Sequence, residues 1–452
     1  MSTANGPCVP LVLESTFMLE ISKNGRYIVY DDGTPFFYLA DTAWEMLYRL
    51  DKEEVELYLQ DRATKKFTVI QIVGLVEYGF LKPNRYGDLA LIDIDPLRPN
   101  EAYFKYADWV IGRANELGLT IALLPTWGDK WNKAWGHGPE IFNTDNARHY
   151  GRWLGERYRN ANLIWVLGGD RHIVNSGHTE IIRAMAEGLT EGDGGAHLRT
   201  FHPPGAHSSA QWMHDEPWLD FNMWQTGHDR FRDSYNAISS DYSRLPAKPT
   251  LDGEPGYEDH PASFNPANGY LNDYDARKSA YFGVFAGGCG HTYGCNDVWQ
   301  FLNTNWGPSI GYAHTPWKEA IHLPGSGQMQ HLRTLIESRP YLTRIPDQSL
   351  LASDPGTASD RIQATRDSEG RYAFIYSASG RPFAVHMSKM GNVPMNMHWF
   401  DPRTGVSRNA GQAPRQLVRE FIPPTSGQDW VLVLDKESCN FPAPGSVGHA
   451  GS

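Results

Sequence analysis

The chain has few cysteines, no excess of basic residues and no hydrophobic run long enough to cross a membrane. Its four cysteines, Cys8, Cys289, Cys295 and Cys439, show no CxxC spacing, which argues against both a disulfide framework and a zinc ribbon. The formal net charge of −11 makes nucleic acid and an anionic membrane surface poor partners. There is no Walker loop, no HExxH motif and no histidine spacing typical of metal ligands, so we expect neither a cofactor nor a metal.

The N-terminus, MSTANGPCVPLVLEST, has no basic segment followed by an apolar one, and therefore no recognisable signal peptide. Taken as it stands, this predicts a cytoplasmic protein, whereas a trimmed mature form would be periplasmic or secreted. A chain of 452 residues is long enough for two or three domains. Aromatic residues make up 12% of the chain, which suits a large core and also flat platforms for sugar rings or bases.

Most of the chain consists of eight apolar runs, mostly separated by helix-length segments. The runs span residues 36–44, 67–75, 119–127, 162–170, 198–205, 219–227, 249–258 and 290–301. Near-continuous apolar runs, rather than alternating ones, are typical of parallel strands buried on both faces. The pattern predicts an α/β fold, a (β/α)8 TIM barrel. A doubly wound open sheet is the competing interpretation, but no GxGxxG motif follows the first run.

From residue 345 onward the runs become short and alternating, and Gly, Pro and Asp turns separate them. This pattern is typical of a small antiparallel β-sandwich. The sequence therefore predicts four parts: an N-terminal extension with a β-ribbon (1–35), the catalytic barrel (36–344), the β-sandwich domain (345–437) and a flexible tail (438–452).

The residues that end the apolar runs carry the candidate chemistry, because barrels of this kind build their sites at the carboxyl ends of the strands. Asp170 follows two glycines in NLIWVLGGD, and Glu254 follows one in TLDGEPGYE. Glycines at the end of a strand allow backbone or ligand to approach closely. Two carboxyl groups from the fourth and seventh strands suit glycoside hydrolysis, in which one protonates the leaving oxygen and the other attacks. The alternative, an ordinary helix cap or turn residue, suits Asp170 alone better than it suits the pair.

Polar and aromatic side chains also end the other runs, and aromatic faces would bind the C–H faces of a sugar ring. The candidate substrate-binding residues are Asp41, Trp44, Trp127, His172, His202, Trp224, Gln225, His291 and Tyr293. Asp41 is equally well interpreted as a hydrogen-bond anchor. Glu77 ends the second run, and His228 and His260 are expected to be hydrogen-bonding partners rather than metal ligands. Asp252 would lie one pleat deeper than Glu254, where a structural role is expected.

Several stretches, YLADTAWEMLYRL, IWVLGGDRH, LDGEPGYE and GHTYGCNDVWQF, together resemble the apiosidase-like glycoside hydrolases of family 140. The later WFDPRTG resembles part of the small domain, named for collagen binding, that usually follows that barrel. The resemblance implies a retaining β-apiosidase with Asp170 as acid/base and Glu254 as nucleophile. Its substrate would be a carbohydrate, such as the apiose-bearing side chains of pectin rhamnogalacturonan II or a flavonoid apioside.

Two other functions remain open at the level of sequence. One is another exo-acting pentosidase, such as an α-L-arabinofuranosidase, and the other is a barrel that binds carbohydrate without cleaving it. The sequence gives no oligomeric state. We expect the C-terminal domain to buttress the barrel rather than to bind collagen.

Overall fold

The computed structural model describes residues 18–303, 305, 308–391 and 393–446. The first part of the predicted extension, residues 1–17, and the end of the predicted tail, residues 447–452, lie outside the described residues. Among the helices that the structure describes, none is both long and apolar enough to cross a bilayer.

A small antiparallel sheet precedes the barrel. Its strands are β1 (Leu19–Ile21), β2 (Ile28–Tyr30) and β3 (Pro35–Phe36). β2 pairs with both neighbours, so the predicted ribbon is present with a third short strand beside it.

The next nine strands form one sheet that curls into a barrel. They are β4 (Tyr38–Thr42), β5 (Val69–Leu75), β6 (Thr120–Thr126), β7 (Leu163–Gly168), β8 (Arg199–His202), β9 (His207–Ser208), β10 (Asn222–Gln225), β11 (Thr250–Asp252) and β12 (Gly290–Tyr293). Eight are parallel, and the short β9 adds to β10 in the antiparallel direction. The seam between β8 and β10 is bridged by Asp220 N–H donating to the Arg199 carbonyl (2.8 Å) and by Thr200 Oγ1 donating to the Phe221 carbonyl (2.7 Å). The predicted TIM barrel is confirmed.

Helices connect the strands and cover the outside of the barrel. They are α1 (Met46–Arg49), α2 (Lys52–Thr64), α3 (Glu101–Glu116), α4 (Thr144–Tyr158), α5 (Ser176–Asp193), α6 (Ala210–Met213), α7 (Ser234–Tyr242), α8 (Asp273–Phe285), α9 (Asn296–Trp299), α10 (Trp317–Ala320) and α11 (Pro324–Glu337). Several begin at a side-chain cap: Asp51, Asn143 and Asn272 each accept a backbone N–H of the first turn. The strands are buried on both faces, which explains why their sequences are apolar without alternation.

The C-terminal part is a separate antiparallel domain, as predicted. Its strands are β13 (Arg344–Pro346), β14 (Ile362–Asp367), β15 (Tyr372–Ser377), β16 (Phe383–His386), β17 (Met395–Phe400), β18 (Ser407–Ala413), β19 (Val418–Phe421) and β20 (Trp430–Lys436). Six of them form one sheet in the order β13-β14-β15-β20-β17-β18, while β16 pairs with β19. A second hydrophobic core, which includes Ile362, Phe383 and Trp399, lies within this domain.

The described portion of the predicted tail contacts the rest of the molecule. Phe441 is partly buried against the main core, and Arg339 donates a hydrogen bond to the carbonyl of Pro442 (3.0 Å). These contacts hold the chain against the molecule beyond the last strand.

Candidate active site

A cavity of about 390 Å³ opens at the carboxyl ends of the barrel strands. Asp170, which follows β7, and Glu254, which follows β11, both line it. Seven aromatic residues also line it, and Trp44, Trp127 and Trp299 are among those that contribute indole rings. The structure therefore brings the two predicted acids to one concave site, in the place where barrels of this type carry their chemistry.

The chain after β7 adopts an unusual backbone that explains the two glycines before Asp170. Gly168, Gly169 and Asp170 all have positive φ angles, of 94°, 105° and 54°. A Cβ on Gly168 would collide with the His202 carbonyl oxygen, and a Cβ on Gly169 would lie 2.6 Å from the backbone nitrogen of Gly128. The glycines thus allow neighbouring backbone, rather than a ligand, to approach closely, and this tight turn directs Asp170 into the cavity.

Asp170 is held by the residue that follows it. Arg171 is fully buried, and its Nη1 donates to the Asp170 carbonyl oxygen (2.8 Å) and lies 3.2 Å from Asp170 Oδ2. The other arm of the guanidinium contacts Glu77. Burial raises the pKa of Asp170, and the nearby negative charge of Glu254 raises it further, while Arg171 and His202 oppose the change. Asp170 therefore keeps its proton to a higher pH than an exposed aspartate.

Glu254 has the opposite environment because two imidazoles contact its carboxylate. His202 Nε2 lies 3.0 Å from Oε2, and His228 Nε2 lies 3.5 Å from Oε1. The backbone N–H of Tyr257 donates to His228 Nδ1 (3.3 Å), which leaves Nε2 as the protonated nitrogen that faces Glu254. Burial alone would raise the pKa of Glu254, but the two adjacent imidazoles outweigh it and lower the pKa well below its usual range.

Four of the nine predicted substrate-binding residues line the cavity: Trp44, Trp127, His172 and Gln225. The rings of Trp44 and Trp127 pack against each other with centroids 5.3 Å apart. Trp44 Nε1 donates to the hydroxyl of Tyr257 (3.0 Å), which fixes the indole. His202 lies behind Glu254 and contacts it, so it acts on the carboxylate rather than facing the cavity itself.

Asp41 lies outside the cavity. Its carboxylate is fully buried, forms an ion pair with Arg62 and accepts a hydrogen bond from the Tyr58 hydroxyl (2.6 Å). Of the two interpretations of Asp41, the hydrogen-bond anchor is therefore the one that the geometry fits.

Trp224, His291 and Tyr293 also lie away from the cavity. The Tyr293 hydroxyl contacts Glu258, and His291 is so deeply buried that its pKa falls to about 3. Trp224 is next to Gln225, and because successive side chains of a strand point to opposite faces, only Gln225 reaches the cavity. The sequence correctly indicated that these residues lie near the carboxyl ends of strands. Their side chains, however, do not line the cavity.

The cavity also contains residues that the sequence analysis did not select. Glu45, Tyr78, Trp135, Tyr257 and Phe264 all line it from loops that follow the strands. Three of them offered a signal, because Glu45 follows Trp44, Tyr78 follows Glu77, and Tyr257 lies within the run 249–258. The others come from loops whose path no periodic pattern describes.

A cluster of side chains that do not line the cavity carries groups able to bind a metal. Asp259, Asp297 and His314 place one ligand atom each within 4.8 Å of one another. Asp297 already accepts the backbone N–H groups of His314 (2.7 Å) and Thr315 (2.9 Å), so its carboxylate holds this loop in place. The cluster does not include Asp170 or Glu254.

Comparisons with known proteins agree with this architecture. The family model described as "Apiosidase-like, catalytic domain" matches residues 22–343, and the model described as "Putative collagen-binding domain of a collagenase" matches residues 345–435. No curated protein matches the chain.

Two solved structures are similar over nearly the full length. One, named a glycoside hydrolase, is 33% identical, covers 93% of this chain and 97% of its own, and has a TM-score of 0.86. The other, a glycoside hydrolase family 5 protein from Bacteroides vulgatus ATCC 8482, is 32% identical, covers 94% and 95% of the two chains, and has a TM-score of 0.87. The similarity therefore extends through both domains.

Proposed function

The chain belongs to the apiosidase-like glycoside hydrolases, and from this we propose that it is a retaining β-apiosidase. It releases apiose from plant material, either from pectin rhamnogalacturonan II or from glycosides such as flavonoid apioside. The description of the matching family supports apiose as the sugar. The alternative is another exo-acting pentosidase, such as an α-L-arabinofuranosidase, on the same scaffold.

The observation that carries the proposed mechanism is the opposite displacement of two pKa values in one cavity. Asp170 has a pKa raised to about 6 and keeps its proton to a higher pH than an exposed aspartate, as suits a general acid, while Glu254 has a lowered pKa and stays ionised, as a nucleophile must. Pairs of acids whose environments separate their pKa values are the usual acid/base arrangement of glycosidases.

The reaction then has two steps. In the first, Glu254 forms a bond to the anomeric carbon, the glycosidic C–O bond breaks, and Asp170 gives its proton to the leaving oxygen. In the second, Asp170 takes a proton from water, the water oxygen bonds to the anomeric carbon, and the bond to Glu254 breaks. The two inversions give a product with the configuration of the substrate.

The test is hydrolysis of two aryl glycosides, a β-apioside and an α-L-arabinofuranoside, with the product configuration followed by NMR. We expect the apioside to be preferred and the first product to retain its configuration. Asp170→Asn should lower kcat by about 10²- to 10⁴-fold, because general acid catalysis is worth that much. Glu254→Gln should be inactive, since an amide cannot form the intermediate.

Glu258→Gln is the matched control, because Glu258 is a buried glutamate four residues away that does not line the cavity. It should turn over substrate close to the parent rate. Preference for the arabinofuranoside would favour the alternative, initial release of the inverted sugar would contradict the retaining mechanism, and equal turnover by Glu254→Gln would remove Glu254 from the chemistry.

A further inference from the structure

Glu45 is a buried carboxylic acid in the cavity that the two-step mechanism does not use. It lies between the end of β4 and the start of α1, and its backbone N–H donates to the Trp299 carbonyl (3.2 Å). One carboxylate oxygen, Oε1, accepts the backbone N–H of Tyr78 (3.3 Å). The residue is only 1% exposed, yet it lines the cavity.

The second oxygen of Glu45 lacks a hydrogen-bond partner within the protein. Oε2 is buried and has no partner among the described residues. A buried polar atom without a partner costs free energy, and at a concave site a hydrogen bond to a bound ligand would remove that cost. Burial raises the pKa of Glu45 to about 7, so the group can donate or accept a hydrogen bond near neutral pH. A hydroxyl group, which also both donates and accepts, is the ligand group that fits.

Two other residues that line the cavity also carry a buried polar atom without a hydrogen-bond partner among the described residues. Neither Trp127 Nε1 nor Gln225 Oε1 has a partner in the part of the chain that the structure describes, and both side chains line the cavity. With Glu45 they provide one donor, one acceptor and one group able to do both, which suits several hydroxyls of one small ring. No lysine or arginine is among the described residues that line the cavity, so a sugar with a carboxylate would meet negative charge there.

We propose that Glu45 binds a hydroxyl group of the sugar that is released, and thereby helps to select that sugar. The inference rests on the proposed glycoside hydrolysis at this cavity. Glu45 is almost fully covered, whereas Trp135, which also lines the cavity, is 61% exposed and marks its outer rim. An exo-acting enzyme takes the terminal sugar to the inner end and leaves the aglycone towards the rim. Glu45 therefore contacts the sugar, not the aglycone.

The experiment measures kcat/KM of the parent, Glu45→Ala and Glu45→Gln on aryl glycosides of apiose, arabinose and xylose. For the sugar that the parent prefers, the series also includes each monodeoxy analogue. Glu45→Ala should lower kcat/KM on the intact glycoside by roughly 10- to 100-fold, because a hydrogen bond to an ionisable group is lost. Glu45→Gln should retain more activity, since an amide can still donate and accept.

The deoxy series separates a binding role from a structural one. For the analogue that lacks the hydroxyl bound by Glu45, the parent and Glu45→Ala should differ little, because the interaction is already absent. Glu258→Gln, with a buried glutamate whose oxygens contact Tyr293 and Gly325, should behave like the parent on every substrate.

Equal losses of Glu45→Ala on all analogues would overturn the inference, because Glu45 would then act through the fold. So would losses that follow the aglycone, or an unchanged kcat/KM on the intact glycoside. The preferred sugar of the parent tests the proposed function separately: a parent that prefers arabinose contradicts the apiosidase, while the Glu45 comparison proceeds on the arabinoside.

Discussion

Asp170 and Glu254 are held in different protonation states by the groups that contact them. Asp170 is about a quarter exposed and contacts Arg171. Glu254 is buried and contacts the imidazole rings of His202 and His228. Burial raises the pKa of both acids, but at Glu254 the two imidazoles outweigh it, whereas at Asp170 the negative charge of Glu254 adds to it. The residues that contact the two carboxyl groups thus determine which of them acts as the acid and which as the nucleophile.

This arrangement predicts the pH dependence of the reaction. The pKa of Asp170 is raised to about 6, so the proton needed by the leaving group is present below that pH and is lost above it. The pKa of Glu254 is lowered, so the nucleophile remains ionised in acid. We expect kcat/KM to fall as the pH rises through about 6 and to persist in moderately acidic solution. The measurement is a pH profile of kcat/KM on an aryl apioside.

The choice of leaving group provides the control for that profile. A dinitrophenolate leaves without a proton, so the fall at higher pH should be weaker with that substrate than with a simple alkyl apioside. Identical profiles for both substrates, or a fall only well above neutral pH, would show that Asp170 is not the acid.

At the level of residues, the sequence was informative where a side chain directly ends a strand. Asp170 and Glu254 are such residues, and the glycines before them marked the turns. Arg171 could be read from the sequence, but its contact with Glu77 could not, because the two are 94 positions apart. Likewise nothing in the chain order indicates that Tyr257 orients His228 through a backbone hydrogen bond.

At the level of elements, β4 and α2 are joined by a buried ion pair. Asp41, at the end of β4, contacts Arg62 in the last turns of α2, and both side chains are fully buried. Arg62 also donates to Asp61 (2.6 Å) and to the Ile321 carbonyl (3.3 Å). The pair therefore fixes a helix against the first barrel strand and against the chain near α10.

Asp41→Asn should destabilise the protein without changing how it binds substrate. Removing one partner of a buried ion pair typically costs about 3–5 kcal/mol, and because Asp61 still pairs with Arg62 we expect the lower end of that range. Tyr58→Phe, which removes one hydrogen bond to the same carboxylate, should cost only about 1 kcal/mol. The free energy of unfolding is measured by urea denaturation, and KM on the aryl glycoside is measured in parallel. A raised KM with unchanged stability would restore Asp41 as a substrate ligand.

The apolar runs predicted all eight parallel strands but not the face that each residue occupies. A strand buried on both faces has no alternation of apolar and polar residues. Its sequence therefore does not show which side chains point to which face. This is why Trp224 and Gln225 were both selected although only one reaches the cavity. The segments between the runs were predicted only by their length, which suits long helices such as α3 and α5 but does not indicate the two-residue strand β9.

At the level of the whole molecule, the sheet of the C-terminal domain is apolar on both faces. On β15, Tyr372, Phe374 and Tyr376 belong to the core of the barrel, whereas Ala373 and Ile375 belong to the core of the C-terminal domain. Alternate residues of one strand therefore serve two cores. A sheet that merely tethered a binding module would not present aromatic side chains to the barrel.

Helix α8 forms the other side of this interface. Arg277, Tyr281 and Phe285 are spaced four residues apart and so lie on one face of the helix. Tyr281 stacks on Tyr376 with ring centroids 4.9 Å apart, and Phe285 stacks on Phe374 at 5.9 Å. Arg277 binds Asp429 through two hydrogen bonds (3.0 and 3.1 Å).

A second ion pair closes the same interface. Arg339, after α11, binds Asp435 of β20 through hydrogen bonds of 2.8 and 2.7 Å, and both side chains are buried. The contacts thus combine stacked aromatic rings with two buried bidentate pairs, which fix the orientation of the two surfaces. These contacts fit the expectation that the C-terminal domain supports the barrel wall formed by α8.

A chain that ends at residue 343 should therefore be insoluble or unfolded, because α8 would expose Tyr281 and Phe285 to water. Asp429→Asn in the full chain is the milder variant: it weakens the pair with Arg277 and should lower Tm while keeping a single unfolding transition. Solubility, calorimetry and turnover of the aryl glycoside are the measurements. A soluble truncated barrel that hydrolyses the aryl glycoside at the parent rate but binds pectin more weakly would instead make the domain a targeting module, since loss of support must reduce stability and turnover together.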